Sequence, residues 1–111
     1  MDLLKGIKKE YIEKYPLYSQ DGKGENSICW AKFFLGSYTW YVTEIDEEYE
    51  ICFGIIDGQE VEYGYFSISE LQGVRVKGFE VERDLWFTAR PVKEIKNERV
   101  QEFLNRLYKE D

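Results

Sequence analysis

The sequence contains no histidine. That absence removes the side chain that titrates near neutral pH, and with it the commonest metal ligand. Cysteine is scarce as well. Cys29 and Cys52 form no CxxC pair, so the thiolate and imidazole sets of structural zinc sites cannot be assembled. Both lie in apolar, strand-like runs, which reads as two buried thiols in a reducing compartment rather than a disulfide. No apolar run approaches the roughly 20 residues that span a bilayer as a helix. The start, Met1-Asp2-Leu3-Leu4-Lys5, is too acidic and too short in its apolar stretch for a signal peptide. The expectation is a cytoplasmic protein without metal or cofactor. Any catalysis would rest on carboxylates, lysine or tyrosine.

What is present is charge of one sign in one place. The 111 residues carry a net charge of −7. Acids and bases cancel over residues 1–27. Residues 28–74 hold nine acids against the single base Lys32, and residues 75–111 are nearly neutral. The acidity thus belongs to the middle of the chain, where it repels nucleic acid and attracts basic surfaces. A hydrophobic content of 43% with 17% aromatics is enough for one domain, 1–111, with its own core.

Leu3, Leu4, Ile7, Tyr11 and Tyr15 recur at helical spacing, which predicts a helix from Asp2 to Tyr15, closed by Pro16. A turn-rich loop follows, Ser19–Asn26. Four strand-like runs come next: Ile28–Leu35, Thr39–Ile45, Tyr49–Ile56 and Glu60–Phe66. Short turns at Gly36-Ser37, Asp46-Glu47-Glu48 and Asp57-Gly58 make an antiparallel meander the natural topology. Ser67-Ile68-Ser69-Glu70 reads as a capping box opening a short helix that Gly73 stops. Val81–Thr88 is a candidate fifth strand. Val100, Phe103, Leu104 and Leu107 form a helical stripe after Pro91. The fold class is α+β: a four- to five-stranded antiparallel sheet with terminal helices and one short internal helix.

Parity assigns the faces. A three-residue turn at Asp57-Gly58, with the glycine left-handed, puts Ile51, Phe53 and Ile55 on one face with Val61, Tyr63 and Tyr65. Ala31, Phe33, Leu35, Tyr41, Leu85 and Phe87 are assigned to the same core. The other face collects Glu44, Glu50, Glu60, Glu62, Glu82 and Asp84 with Trp30, Trp40, Trp86, Phe34 and Phe66. It is either a binding surface or, slightly favoured, a second small core under a terminal helix with the acids at its rim.

Carboxylate chemistry has two candidate clusters, Glu60-x-Glu62 and Glu80-x-Glu82-Arg83-Asp84. Two-metal nucleases gather such carboxylates around paired cations. Neither cluster has the lysine that usually follows, and alternation is what a solvated strand face looks like. Arg83 points to the core side by alternation and needs a carboxylate or carbonyl partner. Lys93, Lys96, Arg99, Arg106 and Lys109 alternate with acids, as on an ordinary exposed helix face.

Four motifs follow in order: Lys32-Phe33-Phe34, Thr39–Glu44 (TWYVTE), Gly64–Leu71 (GYFSISEL) and Val81–Leu85 (VERDL). The series, over about residues 15–95, resembles a prokaryotic family known only as a domain of unknown function and carried on plasmids, conjugative elements and phages. The Gly36-Ser37 loop looks shorter than is usual there. The resemblance carries no catalytic residues across. It implies a small mobile-element protein, a setting that includes anti-CRISPR and anti-restriction inhibitors. The expectation is a non-enzymatic acidic inhibitor in a bacterial host's cytoplasm. It would bind a basic nucleic-acid-binding groove of a defence nuclease of the Cas9 type and block guide or target. Glu44, Asp46, Glu47, Glu48, Glu50, Glu60 and Glu62 would supply charge, and Trp40 an anchor. The rival readings are an accessory protein of plasmid maintenance and a small carboxylate-dependent nuclease.

Overall fold

The computed structural model describes residues 1–108; Lys109, placed on the last helix by periodicity, lies outside them. Helix α1 (Lys9–Lys14) leads into a long loop and the short strand β1 (Ile28–Cys29). Strands β2 (Ala31–Leu35), β3 (Tyr38–Ile45), β4 (Ile51–Asp57) and β5 (Val61–Ser67) form the expected meander. Helix α2 (Ile68–Gly73), strands β6 (Arg75–Val76), β7 (Phe79–Glu80), β8 (Glu82–Arg83) and β9 (Arg90–Pro91), and helix α3 (Glu98–Tyr108) complete the chain. The main sheet is antiparallel with five strands in the order β5-β4-β3-β2-β8. β1 pairs with β9, and β6 with β7, in two small ladders.

The Ser67 half of the expected capping box forms. Ser67 Oγ accepts the Glu70 amide at the start of α2. The β4–β5 register is the one that hydrophobic parity selects, Phe53 opposite Tyr65 and Ile55 opposite Tyr63, with Asp57 opposite Val61 across a three-residue turn. Gly58 is not left-handed there. It is required because a Cβ would run into the Tyr38 ring.

Several expected boundaries move. The N-terminal helix begins at Lys9 instead of Asp2, because Gly6 takes a left-handed φ of 84° and breaks the turn before it. β4 starts at Ile51 because Tyr49 sits at φ 59° in the preceding turn. The run Val81–Thr88 is not a continuous strand; only Glu82–Arg83 pairs with β2. Leu85 is therefore exposed and not core.

Both sheet faces carry a core, as the favoured reading of the tryptophan-bearing face expects, but β2 is assigned to the wrong one. The two-residue turn Gly36-Ser37 pairs Phe33 with Trp40, so Ala31, Phe33 and Leu35 share the face of Trp40 and Val42 and not that of Tyr41. On this face Leu3, Ile12 and Tyr15 from the N-terminal segment pack with Ile68 and Leu71 of α2. On the opposite face Val100 and Leu104 of α3, with Val92 and Ile95, cover Tyr41, Ile55 and Cys29. Both cysteines are free and buried, and burial pushes their thiols up, away from ionisation. Arg83 finds its core-side carbonyl: Nη1 donates to Leu3 O at 2.9 Å.

Candidate protein-binding surface

The central acids do not form one surface. A β-bulge between Val42 and Glu44 shifts the register of β3 by one residue and turns Glu44 inward. Glu44 is 3% exposed, and its carboxylate accepts the Tyr18 amide at 2.7 Å and the Gln20 amide at 3.0 Å. It pins the 16–27 loop to the sheet and has no face for a partner. Asp46 Oδ1 accepts the Glu50 and Ile51 amides at 2.9 and 3.2 Å, closing the β3–β4 turn. Glu50 accepts the Ser69 amide at 3.0 Å and both the Ser67 and Ser69 hydroxyls, which hold its carboxyl below the usual carboxylate range. Of the acids proposed from sequence, Glu47 and Glu48 stand exposed at one end of the sheet, and Glu60 and Glu62 near the other. Ile51 to Ile56 spans five strand steps, so the two pairs lie roughly 17 Å apart.

Another acid of the same segment is also structural. Asp57 is 6% exposed. Its Oδ2 accepts from Asn97 Nδ2 at 2.9 Å, and the same amide donates to Tyr41 Oη at 3.0 Å. Arg99 Nη1 lies 2.8 Å from Asp57 Oδ1 as an ion pair without hydrogen-bond alignment. Its N–H groups are engaged by Gly58 O and Gln59 O, both at 2.9 Å. Arg99 therefore clamps α3 to the β4–β5 turn, where the sequence suggested an ordinary exposed base.

Large apolar side chains gather elsewhere, where β8 ends and the tip of the β2–β3 hairpin meets the β6–β7 hairpin. Lys77 and Gly78 both have positive φ, 51° and 84°, the pairing of a tight two-residue hairpin turn. This turn holds Val76 and Phe79 out over the sheet end. Between the hairpins runs a groove of about 720 Å³, floored by half-buried Trp40 and walled by Phe34, Tyr38, Val76 and Phe79. A second groove of about 560 Å³ shares Phe34 with it and continues to Leu85 and Trp86. Trp86 is 92% exposed, Phe79 68% and Leu85 67%. The loop that presents Trp86 is built, since Asp84 Oδ1 accepts the Trp86 amide at 2.8 Å and Asp84 Oδ2 lies 3.7 Å from Lys32 Nζ.

The rim is mildly acidic. Glu80 is neutralised by the Met1 ammonium at 2.7 Å and Arg75 at 3.5 Å, which lower its carboxyl pKa. Glu82 is exposed on β8, directly opposite Phe34. The three tryptophans, grouped by parity, separate. Trp30 is buried with Nε1 donating to Thr43 O at 2.9 Å, Trp40 floors the groove, and Trp86 projects into solvent. Sequence reasoning missed Val76 and Phe79, whose signal was the turn Lys77-Gly78 between them. Among the described residues, no group of three or more His, Cys, Asp or Glu side chains could hold a metal ion, and no helix is long and apolar enough to cross a membrane.

The fold and this surface define a two-sided α+β domain with a patch of exposed apolar side chains at one sheet end, Phe34, Tyr38, Phe79 and Trp86 among them. The chain belongs to the family described as Protein of unknown function (DUF2958), whose model matches residues 7–95. The matched stretch holds the whole main sheet and the aromatic surface, while α3 lies beyond it. No curated protein and no solved structure matches the chain.

Proposed function

We propose that this chain is a non-enzymatic binding protein of a mobile genetic element, acting in the bacterial cytoplasm. It docks against a host defence nuclease of the CRISPR type and hinders its access to nucleic acid. The observation that carries a binding role is the aromatic surface: exposed aromatic and aliphatic side chains this concentrated are characteristic of interface cores. The net charge of −7 supports a basic partner. The contact is reassigned relative to charge alone. Phe34, Phe79, Leu85 and Trp86 supply the anchor, and Trp40 the groove floor. Exposed Glu47, Glu48, Glu60 and Glu62 speed encounter, while Glu44, Asp46 and Glu50 hold the fold.

The test is inhibition of guided DNA cleavage by a purified Cas9-type nuclease, with the wild type and with Phe79→Ser and Trp86→Ser. Inhibition by the wild type that both variants lose supports the reading. No inhibition at any concentration, or inhibition unchanged in both variants, overturns it. Wild-type protein incubated with RNA or DNA and magnesium or manganese should leave them intact. Cleavage abolished by Glu60→Gln or Glu62→Gln would establish the nuclease reading instead.

A further inference from the structure

The two edges of the main sheet differ. One is closed by β8, only two residues long and tied through Arg83 to the N-terminal segment. The other is β5, seven residues with no proline and an unbroken register against β4. Natural proteins blunt such edges with bulges, prolines, lysines or short length. None of these is present in β5, whose one charged side chain is Glu62.

The direction of its free backbone groups follows from the ladder. Gly58 N donates to Glu60 O at 3.0 Å, and Ile68 N to Glu50 O at 2.8 Å, at the two ends of the β4–β5 pairing. Antiparallel strands alternate, so Glu62, Gly64 and Phe66 direct their N–H and C=O groups to β4. Val61, Tyr63 and Tyr65 direct theirs outward. Among the described residues no hydrogen-bond partner from elsewhere in the chain meets these three amides.

We propose that the β5 edge accepts an extended strand from a partner protein, one that alternates basic residues with apolar ones. Main-chain bonds to Val61, Tyr63 and Tyr65 supply the pairing, as in other strand-addition complexes. The side chains set the pattern. Glu62 occupies a position that does not hydrogen-bond outward, where opposed side chains stand closest, so a lysine or arginine fits opposite it. Glu60 extends the acidic row at the turn. Tyr63 and Tyr65 project to the other face, where apolar residues of the added strand would pack. A second copy is the poorer occupant, because it brings another Glu62 and a net charge of −7 to the same edge.

The experiment is residue-resolved amide hydrogen exchange with an alternating Lys–Val peptide about nine residues long, against a Glu–Val peptide of equal length. The Lys–Val peptide should slow exchange at Val61, Tyr63 and Tyr65 and bind about tenfold more tightly than the Glu–Val peptide. Tyr65→Pro removes one outward N–H without touching the β4 ladder, and the preceding Gly64 tolerates it, so protection should be lost. Glu62→Lys, an exposed substitution that keeps the fold, should invert the preference between peptides. Phe79→Ser should leave the pairing unchanged, which separates this edge from the aromatic surface. Protection located elsewhere, equal binding of both peptides, or loss of pairing in Phe79→Ser overturns the proposal. So does protection of the same amides without peptide in a dimer seen by sedimentation, which would assign the edge to a second copy.

Discussion

Asn97 ties the start of α3 to the sheet beside the Arg99 clamp, and its removal has a magnitude that follows from three contacts. Its Oδ1 accepts the Val100 amide at 3.2 Å, capping the helix, while its Nδ2 reaches Tyr41 Oη and Asp57 Oδ2. Asn97→Ala loses the cap, about 1 kcal/mol. It also withdraws the donor from a buried carboxylate, about 2 kcal/mol for a bond to a charged group. Arg99 remains beside Asp57 Oδ1, which limits the second cost. The sum is about 3 kcal/mol, or a melting temperature lower by roughly 12 °C for a domain of this size. Urea unfolding followed by far-UV circular dichroism would read it as a lower midpoint at constant m. Asn97→Ser separates the two parts, since serine caps well but is too short to reach Asp57. It should lose about 2 kcal/mol. A serine variant as stable as the wild type would refute the reasoning, because the Asp57 contact would then contribute nothing.

Other substitutions test different features. Gly54→Ala should cost about 3 kcal/mol or prevent folding, since its Cβ would meet Tyr41 O across the bulged ladder; a normal midpoint in urea would contradict the close approach. Glu50, held below the usual carboxylate range by the Ser67 and Ser69 hydroxyls, contributes stability above its unfolded pKa. That contribution fades as pH falls through its depressed folded value. Glu50→Gln should therefore flatten the acid limb of a melting-temperature profile, and an unchanged limb would count against this role. Trp86→Ala should leave the urea midpoint within about 0.5 kcal/mol of the wild type, as befits a side chain 92% exposed. A larger loss would place Trp86 in a core that the structure does not contain.

The meander, the β4–β5 register and the Ser67 cap were legible because each rests on local chemistry: period-2 alternation, turn residues and a capping motif. The bulge near Thr43 was not, because nothing in TWYVTE marks where one residue is inserted. One slipped position reverses every side chain after it, which is how Glu44 moved from a proposed contact to a buried anchor. The hairpin carrying Val76 and Phe79 escaped for another reason. Two-residue strands are too short to show a period, so only the Lys77-Gly78 turn could have announced them.

Charge counting failed in a way that bears on the site itself. A net charge treats every carboxylate as a free monopole, yet Glu44, Asp46, Glu50 and Asp57 are engaged by backbone amides, hydroxyls, Asn97 or Arg99. These groups hold a loop, a turn, the start of α2 and the join to α3. Four of the nine central acids are therefore engaged in scaffolding. What remains outside is divided between Glu47 and Glu48 at one sheet end and Glu60 and Glu62 near the other, with Glu70 on α2. Charges so divided can steer an approaching basic partner over about a Debye length, 10 Å at 0.1 M salt, but they do not trace a nucleic-acid backbone. Steering and holding are thus assigned to different residues: exposed acids for the encounter, and the Phe34–Phe79–Trp86 surface for the bound state. Added salt should slow association while leaving dissociation nearly constant, and Phe79→Ser should do the reverse. A salt effect on dissociation as large as that on association would return the acids to the contact and the aromatic surface to the background.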